Sequence, residues 1–124
     1  GNVVGSDLAQ RARDRGVRVI AIESVAHATS KARRHKDVPL LDAIADVVVD
    51  NGGCVGDAAV AIDGFATRVA PTSTVTGAAI LNAMVAEAVG ILMALGTPPE
   101  VYTSANLDGG DAANARFGRP EDQA

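Results

Sequence analysis

The sequence predicts an α/β protein with a parallel sheet and a β-hairpin. Two short runs rich in Val and Ile, "VRVIAI" (residues 17–22) and "DVVVD" (residues 46–50), have the length and composition of buried strands. The connection between them contains a helical stretch, which favours a parallel arrangement of the two strands. Apolar residues make up 48% of the chain and aromatic residues only 2%. Small side chains such as Ala and Val are therefore expected to fill the core, beneath Ala-rich helices.

The first half of the chain alternates between helices and strands. Ser6 or Asp7 can cap a helix that runs to about Arg15, and Gly16 is a suitable C-terminal stop. The strand at residues 17–22 follows directly, and residues 23–35 form a polar loop or a short helix. Pro39 then begins a short amphipathic helix that leads into the strand at residues 46–50.

The second half contains the hairpin and one long helix. Asp63 and Gly64 lie between two apolar runs in residues 58–70, which is a strong hairpin signal. A long helix begins at residues 72–74 and ends near Gly96, before two prolines that cannot continue it. We assign residues 1–109 to one domain, and residues 110–124 are expected to be a polar, mobile tail.

Charge and composition exclude several classes of partner. The net charge is −4, and no basic stripe with stacking aromatics occurs, so no nucleic-acid partner is expected. The single Cys54 forms no intrachain disulfide, which is typical of the cytoplasm. The long helix could cross a bilayer by length, but Asn82, Glu87 and its many small residues favour a helix buried inside a soluble protein. Neither a metal nor a cofactor is predicted.

Four hydroxyl side chains lie at the start of the long helix, and two explanations remain open. They are Thr72, Ser73, Thr74 and Thr76. A helix N-terminus offers unpaired N–H groups and a partial positive charge, so added hydroxyls could form a seat for a phosphate. Alternatively, one residue caps the helix and the others have no further function.

The long helix is apolar around its whole circumference, which predicts burial on more than one side. The sheet would cover one side, and another helix or subunit would cover another. Glu87 lies about three turns after Thr76, so both point roughly the same way. It is either a buried base or, as we favour, a carboxylate that is paired with an arginine or faces solvent at an interface.

The stretch "APTSTVTGAAILNA" resembles the second ligand loop of sugar isomerase (SIS) domains. "VRVIAIESVAHA" and "LLDAIADVVVDN" are similar to strand units of the same family, in the same order. "DNGGCVGDAAV", "VAPTSTVTGAAILNAMVAEAV" and "SANLDGGDAANARF" together resemble a branch described as phosphosugar-binding or phosphoheptose isomerase-like. The likeness extends over nearly the whole chain.

The resemblance implies a three-layer α/β/α sandwich of the flavodoxin-like type, around a five-stranded parallel sheet. This chain would be the C-terminal half, without the first strand and the first phosphate loop, and Asn2 would be the last residue of that loop. A phosphorylated sugar is the implied ligand, and pairing of SIS domains implies a homodimer or a higher oligomer. The implied ligand-binding residues are Asn2, Ser24, Asp57, Thr72, Ser73, Thr74 and Thr76.

Three functions remain open at this point. The first is an aldose–ketose phosphosugar isomerase, for which Glu87, Glu23 and His27 are weak catalytic candidates. The stretch after the hydroxyl loop lacks the histidine of the phosphoheptose isomerases, which weakens this assignment. The second is a phosphosugar-sensing or regulatory module without turnover. The third is a structural fragment that dimerises through the long helix.

Overall fold

The computed structural model describes residues 3–30, 35 and 37–118, and it has mixed α/β architecture. The elements of the first half are α1 (Val3–Asp14), β1 (Ile20–Glu23), α2 (Val25–Ala28), α3 (Leu41–Ile44) and β2 (Val47–Asp50). They are followed by β3 (Ala58–Val60), β4 (Val69–Pro71), α4 (Ser73–Ala94), α5 (Gly110–Asn114) and a 3₁₀ turn (Ala115–Phe117). The predicted α/β class is confirmed.

The two strands of the first half pair in parallel, as predicted. The register runs from Ile20 opposite Val47 to Glu23 opposite Asp50. The N–H of Asn51 extends the ladder by donating to the carbonyl oxygen of Glu23, at 2.9 Å. Because the strands are parallel, the loops that follow them leave from the same edge of the sheet.

The predicted hairpin is also confirmed, and it forms a separate two-stranded sheet. Ala58 lies opposite Pro71 and Val60 opposite Val69, in antiparallel pairing. The connection contains Gly64, whose φ of 76° is the left-handed conformation that glycine adopts readily. Among the described residues, the strands thus form one parallel and one antiparallel pair.

The predicted glycine stops are confirmed in both long helices. Gly16 and Gly96 follow α1 and α4 with φ angles of 75° and 73°. After α4, the N–H of Thr97 donates to the carbonyl of Leu92 at 3.0 Å, and that of Gly96 donates to Met93 at 3.1 Å. This pattern is the Schellman motif, which satisfies carbonyls that the helix leaves unpaired.

Helix α1 begins earlier than predicted, because Ser6 packs inside it and does not cap it. The side chain is buried, and its Oγ donates to the carbonyl of Pro39 at 3.0 Å. Arg13 makes a second contact from α1, donating from Nη1 to the carbonyl of Ile44 at 3.0 Å. These two bonds fix α1 against the segment that contains α3.

The core of the unit that ends at Val85 is small and is made mostly of alanine. Ala9, Ala21, Ala28 and Ile44 are its buried apolar residues. The prediction of a core filled by small side chains is confirmed. The prediction that both strands are buried is wrong for β2, where Val47 is 46% exposed and Val48 is 39% exposed, and in β1 it holds only for Ala21, since Ile20 is 51% exposed.

Helix α4 departs most from expectation, because none of its residues is buried within the described part of the chain. Val75 is 72% exposed, and Leu81 and Val85 are also open to solvent. By length and composition alone, its 22 residues could cross a membrane. The expected burial of this helix is therefore wrong for this chain by itself, since burial requires a covering surface that these residues do not supply.

The unit that begins at Ala86 contains the end of α4, then α5 and the 3₁₀ turn. The side chain of Asn114 accepts from the N–H of Thr103 at 2.8 Å and donates to its carbonyl at 2.6 Å. The rings of Tyr102 and Phe117 have centroids 4.4 Å apart. These contacts accompany a helical structure at residues 110–117, a stretch that the sequence analysis assigned to a polar tail; residues 119–124 lie outside the described residues.

Candidate functional site

A cleft lies where the loops after β1 and β2 meet. Its volume is about 290 Å³. Its lining is formed by Ile22, Glu23, Ser24, His27, Asn51, Cys54, Asp57 and Ser73. The position at the carboxyl ends of parallel strands is where ligands bind in open α/β sheets. The cleft therefore is the candidate site.

Ser24 makes hydrogen bonds that join the two loops at this site. Its Oγ caps α2 by accepting from the N–H of His27 at 3.1 Å, and it donates to the carbonyl of Gly53. A Cβ at Gly53 would lie 2.9 Å from Asn51 Oδ1 and 3.3 Å from the Ser24 Cβ. A side chain at position 53 would displace the Asn51 amide and press on Ser24, so glycine there lets the second loop lie against the first.

His27 presents a free donor to the cleft. Its Nδ1 accepts from the N–H of Gly56 at 3.1 Å. Because Nδ1 is the acceptor in this bond, Nε2 is the ring nitrogen that can donate. Nε2 has no partner among residues 3–30, 35 and 37–118, and the side chain is exposed. It can donate to a ligand oxygen without disturbing the loop.

Glu23 lines the cleft, and the pKa of its carboxyl is raised above the ordinary value for a glutamate. Burial raises the pKa of its carboxyl, and the negative charges of Asp42 and Asp50 raise it further. Its Oε1 is enclosed and has no hydrogen-bond partner among the described residues. A carboxyl with a raised pKa and spare bonding capacity can bind a donor or transfer a proton.

The carboxylate of Asp57 lies against the first turn of α4. Oδ1 accepts from the N–H groups of Thr72 at 3.0 Å and Ser73 at 2.8 Å, and Oδ2 accepts from Ser73 Oγ at 2.8 Å. The hydrogen bonds from the hydroxyl and N–H of Ser73, followed by those from Thr72, lower the pKa of Asp57. This residue holds a φ of 69° to reach the helix. The anion position at the start of α4 is thus filled by the chain's own carboxylate.

The four hydroxyls at the start of this helix therefore differ in what they bond. Thr72 and Ser73 bind Asp57. Thr76 donates back to the carbonyl of Thr72 at 3.0 Å. Thr74 is exposed, and its hydroxyl has no bond within the part of the chain that the structure describes. Neither open explanation anticipated this, since the helix is capped by a residue 16 positions away.

The cleft gathers five of the predicted site residues and leaves out the others. Glu23, Ser24, His27, Asp57 and Ser73 line it, whereas Thr72, Thr74 and Thr76 do not. Glu87 is an exposed residue of α4 in the unit that begins at Ala86. Asn2 lies outside the described residues.

Ile22 and Cys54 also line the cleft, and neither was predicted as a site residue. Cys54 is exposed, and its Sγ lies 3.5 Å from the carbonyl oxygen of Ala58. Neither residue carried a motif, so only their position next to the strand ends could have indicated them. Within residues 3–30, 35 and 37–118, no three His, Cys, Asp or Glu side chains cluster so as to hold a metal ion.

The chain is similar to bacterial UPF0309 proteins. It is 40% identical over 116 residues to the UPF0309 protein of Geobacillus thermodenitrificans (strain NG80-2), a match that covers 94% of this chain and 47% of that protein. It is 37% identical over 123 residues to a UPF0309 protein of Oceanobacillus iheyensis, covering 98% of this chain and 50% of the relative. No protein-family model matches the chain. The chain spans about half the length of the curated relatives it matches.

Proposed function

We propose that this chain binds a phosphorylated sugar in the cleft at the ends of β1 and β2. The observation that carries the proposal is the convergence of two loops on one cavity, where His27 and Asn51 each have a hydrogen-bond donor that no described residue uses. At about 290 Å³, the cavity is close to the lower end of the range of small-molecule sites, roughly 300–1,000 Å³. A single sugar ring suits a site of this size.

A sugar ring carries several hydroxyl groups, which need both hydrogen-bond donors and acceptors from the protein. His27 Nε2 can donate, and so can the side-chain amide of Asn51, whose Oδ1 already accepts from the N–H of Gly53 at 2.8 Å. Glu23, which lines the cleft, provides a carboxylate. Since each sugar hydroxyl both donates and accepts, this combination can hold two or three of them at once.

The phosphate group requires a second part of the site. Because Asp57 fills the start of α4, a phosphate can reach the N–H groups there only by displacing that carboxylate. We infer that residues of the longer protein hold the phosphate, since the relatives are about twice the length of this chain. The resemblance to SIS domains, with a first phosphate loop before this segment and a three-layer sandwich around it, supports the same arrangement.

Isomerisation of the bound sugar is a second candidate, and the raised pKa of Glu23 favours it. Moving a proton between adjacent carbons needs a base that is not fully solvated and whose pKa suits the transfer. Glu23 meets that description better than Glu87, which is exposed. A module that binds the sugar without turnover would use the same contacts.

The bacterial relatives and the charged, amphipathic α1 are consistent with a soluble protein. We propose that the protein is cytoplasmic and that the exposed apolar face of α4 is covered in a homo-oligomer. The absence of any buried residue in that helix, among the described residues, supports such an assembly, because an apolar surface of this extent is costly in water.

An amide NMR titration tests the proposed binding. The chain is titrated with hexose, pentose and heptose phosphates, with the unphosphorylated sugars, and with inorganic phosphate. We expect shifts at Glu23, Ser24, His27 and Asn51 with the sugars, because these residues line the cleft. Inorganic phosphate should leave the same signals in place. Absence of any shift at millimolar sugar phosphate would contradict the proposal.

A further inference from the structure

The loop after β2 brings the side-chain amide of Asn51 next to a peptide nitrogen that little shields. That nitrogen belongs to Gly52, which is exposed, has a φ of 67° and has open space where a Cβ would lie. Because Gly52 has no side chain, neither the amide of Asn51 nor water is kept away from the nitrogen by that residue. Attack of this nitrogen on the amide carbon would close a five-membered ring.

The side chain of Asn51 is folded back over its own peptide bond. Its Oδ1 accepts from the N–H of Gly53 at 2.8 Å, which closes a turn that contains the nitrogen of Gly52. The turn holds the amide carbon on the same side as that nitrogen, so little freedom has to be lost before the two react. The same N–H points at the oxygen on which negative charge develops when Cγ is attacked, and it would stabilise that charge.

Asp50 places a carboxylate on the proton that has to leave. Its Oδ1 accepts from the N–H of Gly52 at 3.0 Å. The same oxygen accepts from the N–H of Val25 at 3.2 Å, and this bond to the start of α2 holds the carboxylate in place. A carboxylate within hydrogen-bond reach of the departing proton has the position of a general base.

We propose that Asn51 is a site of spontaneous deamidation in the folded protein. The nitrogen of Gly52 forms a bond to Asn51 Cγ while its proton passes to Asp50. The bond from Cγ to Nδ2 then breaks, and ammonia leaves with that proton, so that a cyclic imide remains. Water opens the imide at Cγ to give aspartate, or at the main-chain carbonyl to give isoaspartate. No oxidant or reductant takes part.

The modification changes the cleft whatever ligand the cleft takes. Asn51 lines it together with Glu23 and Asp57. The product has a carboxylate in place of a neutral amide, so the cleft loses a donor and gains a negative charge. Isoaspartate also adds a methylene group to the backbone, where the N–H of Asn51 extends the parallel ladder to Glu23 at 2.9 Å.

Peptide mapping by mass spectrometry, after incubation of the folded chain at mildly alkaline pH, tests this proposal. We expect a mixture of aspartate and isoaspartate at position 51, with one heavy oxygen incorporated when the incubation is made in heavy-oxygen water. Asn82 and Asn114 are internal controls, because an alanine follows each and their amides donate to the carbonyls of Ala78 and Thr103. Both should remain unchanged. An unmodified Asn51 in the folded chain, or conversion only in denaturant, would overturn the proposal.

Two variants distinguish the folded geometry from the Asn-Gly dipeptide alone. Asp50→Asn keeps an acceptor for the N–H of Gly52 and removes the base, so conversion at position 51 should slow by roughly tenfold. An equal rate in wild type and Asp50→Asn would overturn the role assigned to this carboxylate.

Asp63→Asn gives the matched comparison, because it places an asparagine before another glycine in the same molecule. Gly64 has a φ of 76° and open space where a Cβ would lie, as Gly52 has. No carboxylate accepts from the N–H of Gly64 within the part of the chain that the structure describes. The new site should therefore convert about tenfold more slowly than Asn51. Equal conversion at the two sites would show that the loop after β2 adds nothing to the dipeptide and would overturn the inference.

Discussion

At the scale of single residues, Asp57 and His27 define how the cleft is built. Asp57 lies in the loop before β3, and its carboxylate accepts hydrogen bonds from the N–H groups and hydroxyls of Thr72 and Ser73 at the start of α4. His27 accepts from Gly56 in the same loop, at 3.1 Å. Both side chains therefore make a hydrogen bond within the fold and also line the cleft. Substitutions can be chosen that distinguish the effect on stability from the effect on ligand binding.

The variant His27→Asn tests the free donor of the imidazole. An Asn side-chain oxygen lies close to the position of Nδ1, so it can still accept from Gly56, while the Nε2 donor is lost. We expect roughly fivefold weaker sugar binding, corresponding to about 1 kcal/mol for one hydrogen bond, with little change in melting temperature. Calorimetry and thermal unfolding measure the two effects.

His35→Asn is the matched control, because His35 does not line the cleft. It should leave sugar affinity unchanged. Affinity equal to wild type in His27→Asn would show that Nε2 makes no ligand contact.

The variant Asp57→Asn tests the capping carboxylate through acid unfolding. The pKa of Asp57 is lowered from its ordinary value of 3.8. The unfolded chain therefore binds the proton more readily, so the stability from this group is present above pH 3.8 and is lost as the pH falls through the lower, folded value. Asp57→Asn should be less stable at neutral pH and should lose less stability between neutral and strongly acidic pH.

Denaturant unfolding at a series of pH values checks this prediction. Asp14→Asn provides a control, since Asp14 is an exposed residue of α1 outside the cleft. Parallel pH profiles of wild type and Asp57→Asn would contradict the assigned role of the carboxylate.

At the scale of elements, the helix ends follow local rules, and α4 allows a paired test of them. Gly96 ends the helix with a φ of 73°, whereas Gly90 lies inside it with open space around its Cα. Gly96→Ala forces a side chain into the left-handed region and should destabilise the chain by about 1 kcal/mol. Gly90→Ala removes backbone freedom inside a helix and should stabilise it by roughly 0.5–1 kcal/mol. Chemical denaturation measures both, and the same sign for the two variants would contradict the assignment.

The strands show where local pattern and tertiary environment diverge. The Val-rich run of β2 is correctly predicted as a strand paired in parallel with β1. The burial of this strand is not correctly predicted, because burial depends on what covers the sheet. Val47 and Val48 remain substantially exposed.

At the scale of the whole molecule, exposed apolar surface is the dominant feature. Leu81 and Val85 are each 55% exposed and lie on the same face of α4, one turn apart. If a second copy covers this face, as we propose, the chain should sediment as a dimer or a larger oligomer. The double variant Leu81→Glu with Val85→Glu should shift the equilibrium to monomer, because it places charges in the contact.

Sedimentation velocity at several concentrations distinguishes these states. Leu8→Glu is the control, since Leu8 is a comparably exposed residue of α1. A wild-type monomer that floats with lipid vesicles would contradict the oligomer and would assign the apolar helix to a membrane surface.

The sequence by itself determined the class of the fold, the order of its elements, the hairpin and the glycine helix stops. These depend on patterns within a few residues of one another, such as β-branched runs and a glycine after a helix. Tertiary structure decided that Asp57 fills the anion position at α4, that Glu23 keeps an unpartnered oxygen, and that α4 is uncovered in this chain. Those features depend on contacts between residues that are distant in sequence and on which surfaces face each other. Local sequence patterns predict neither.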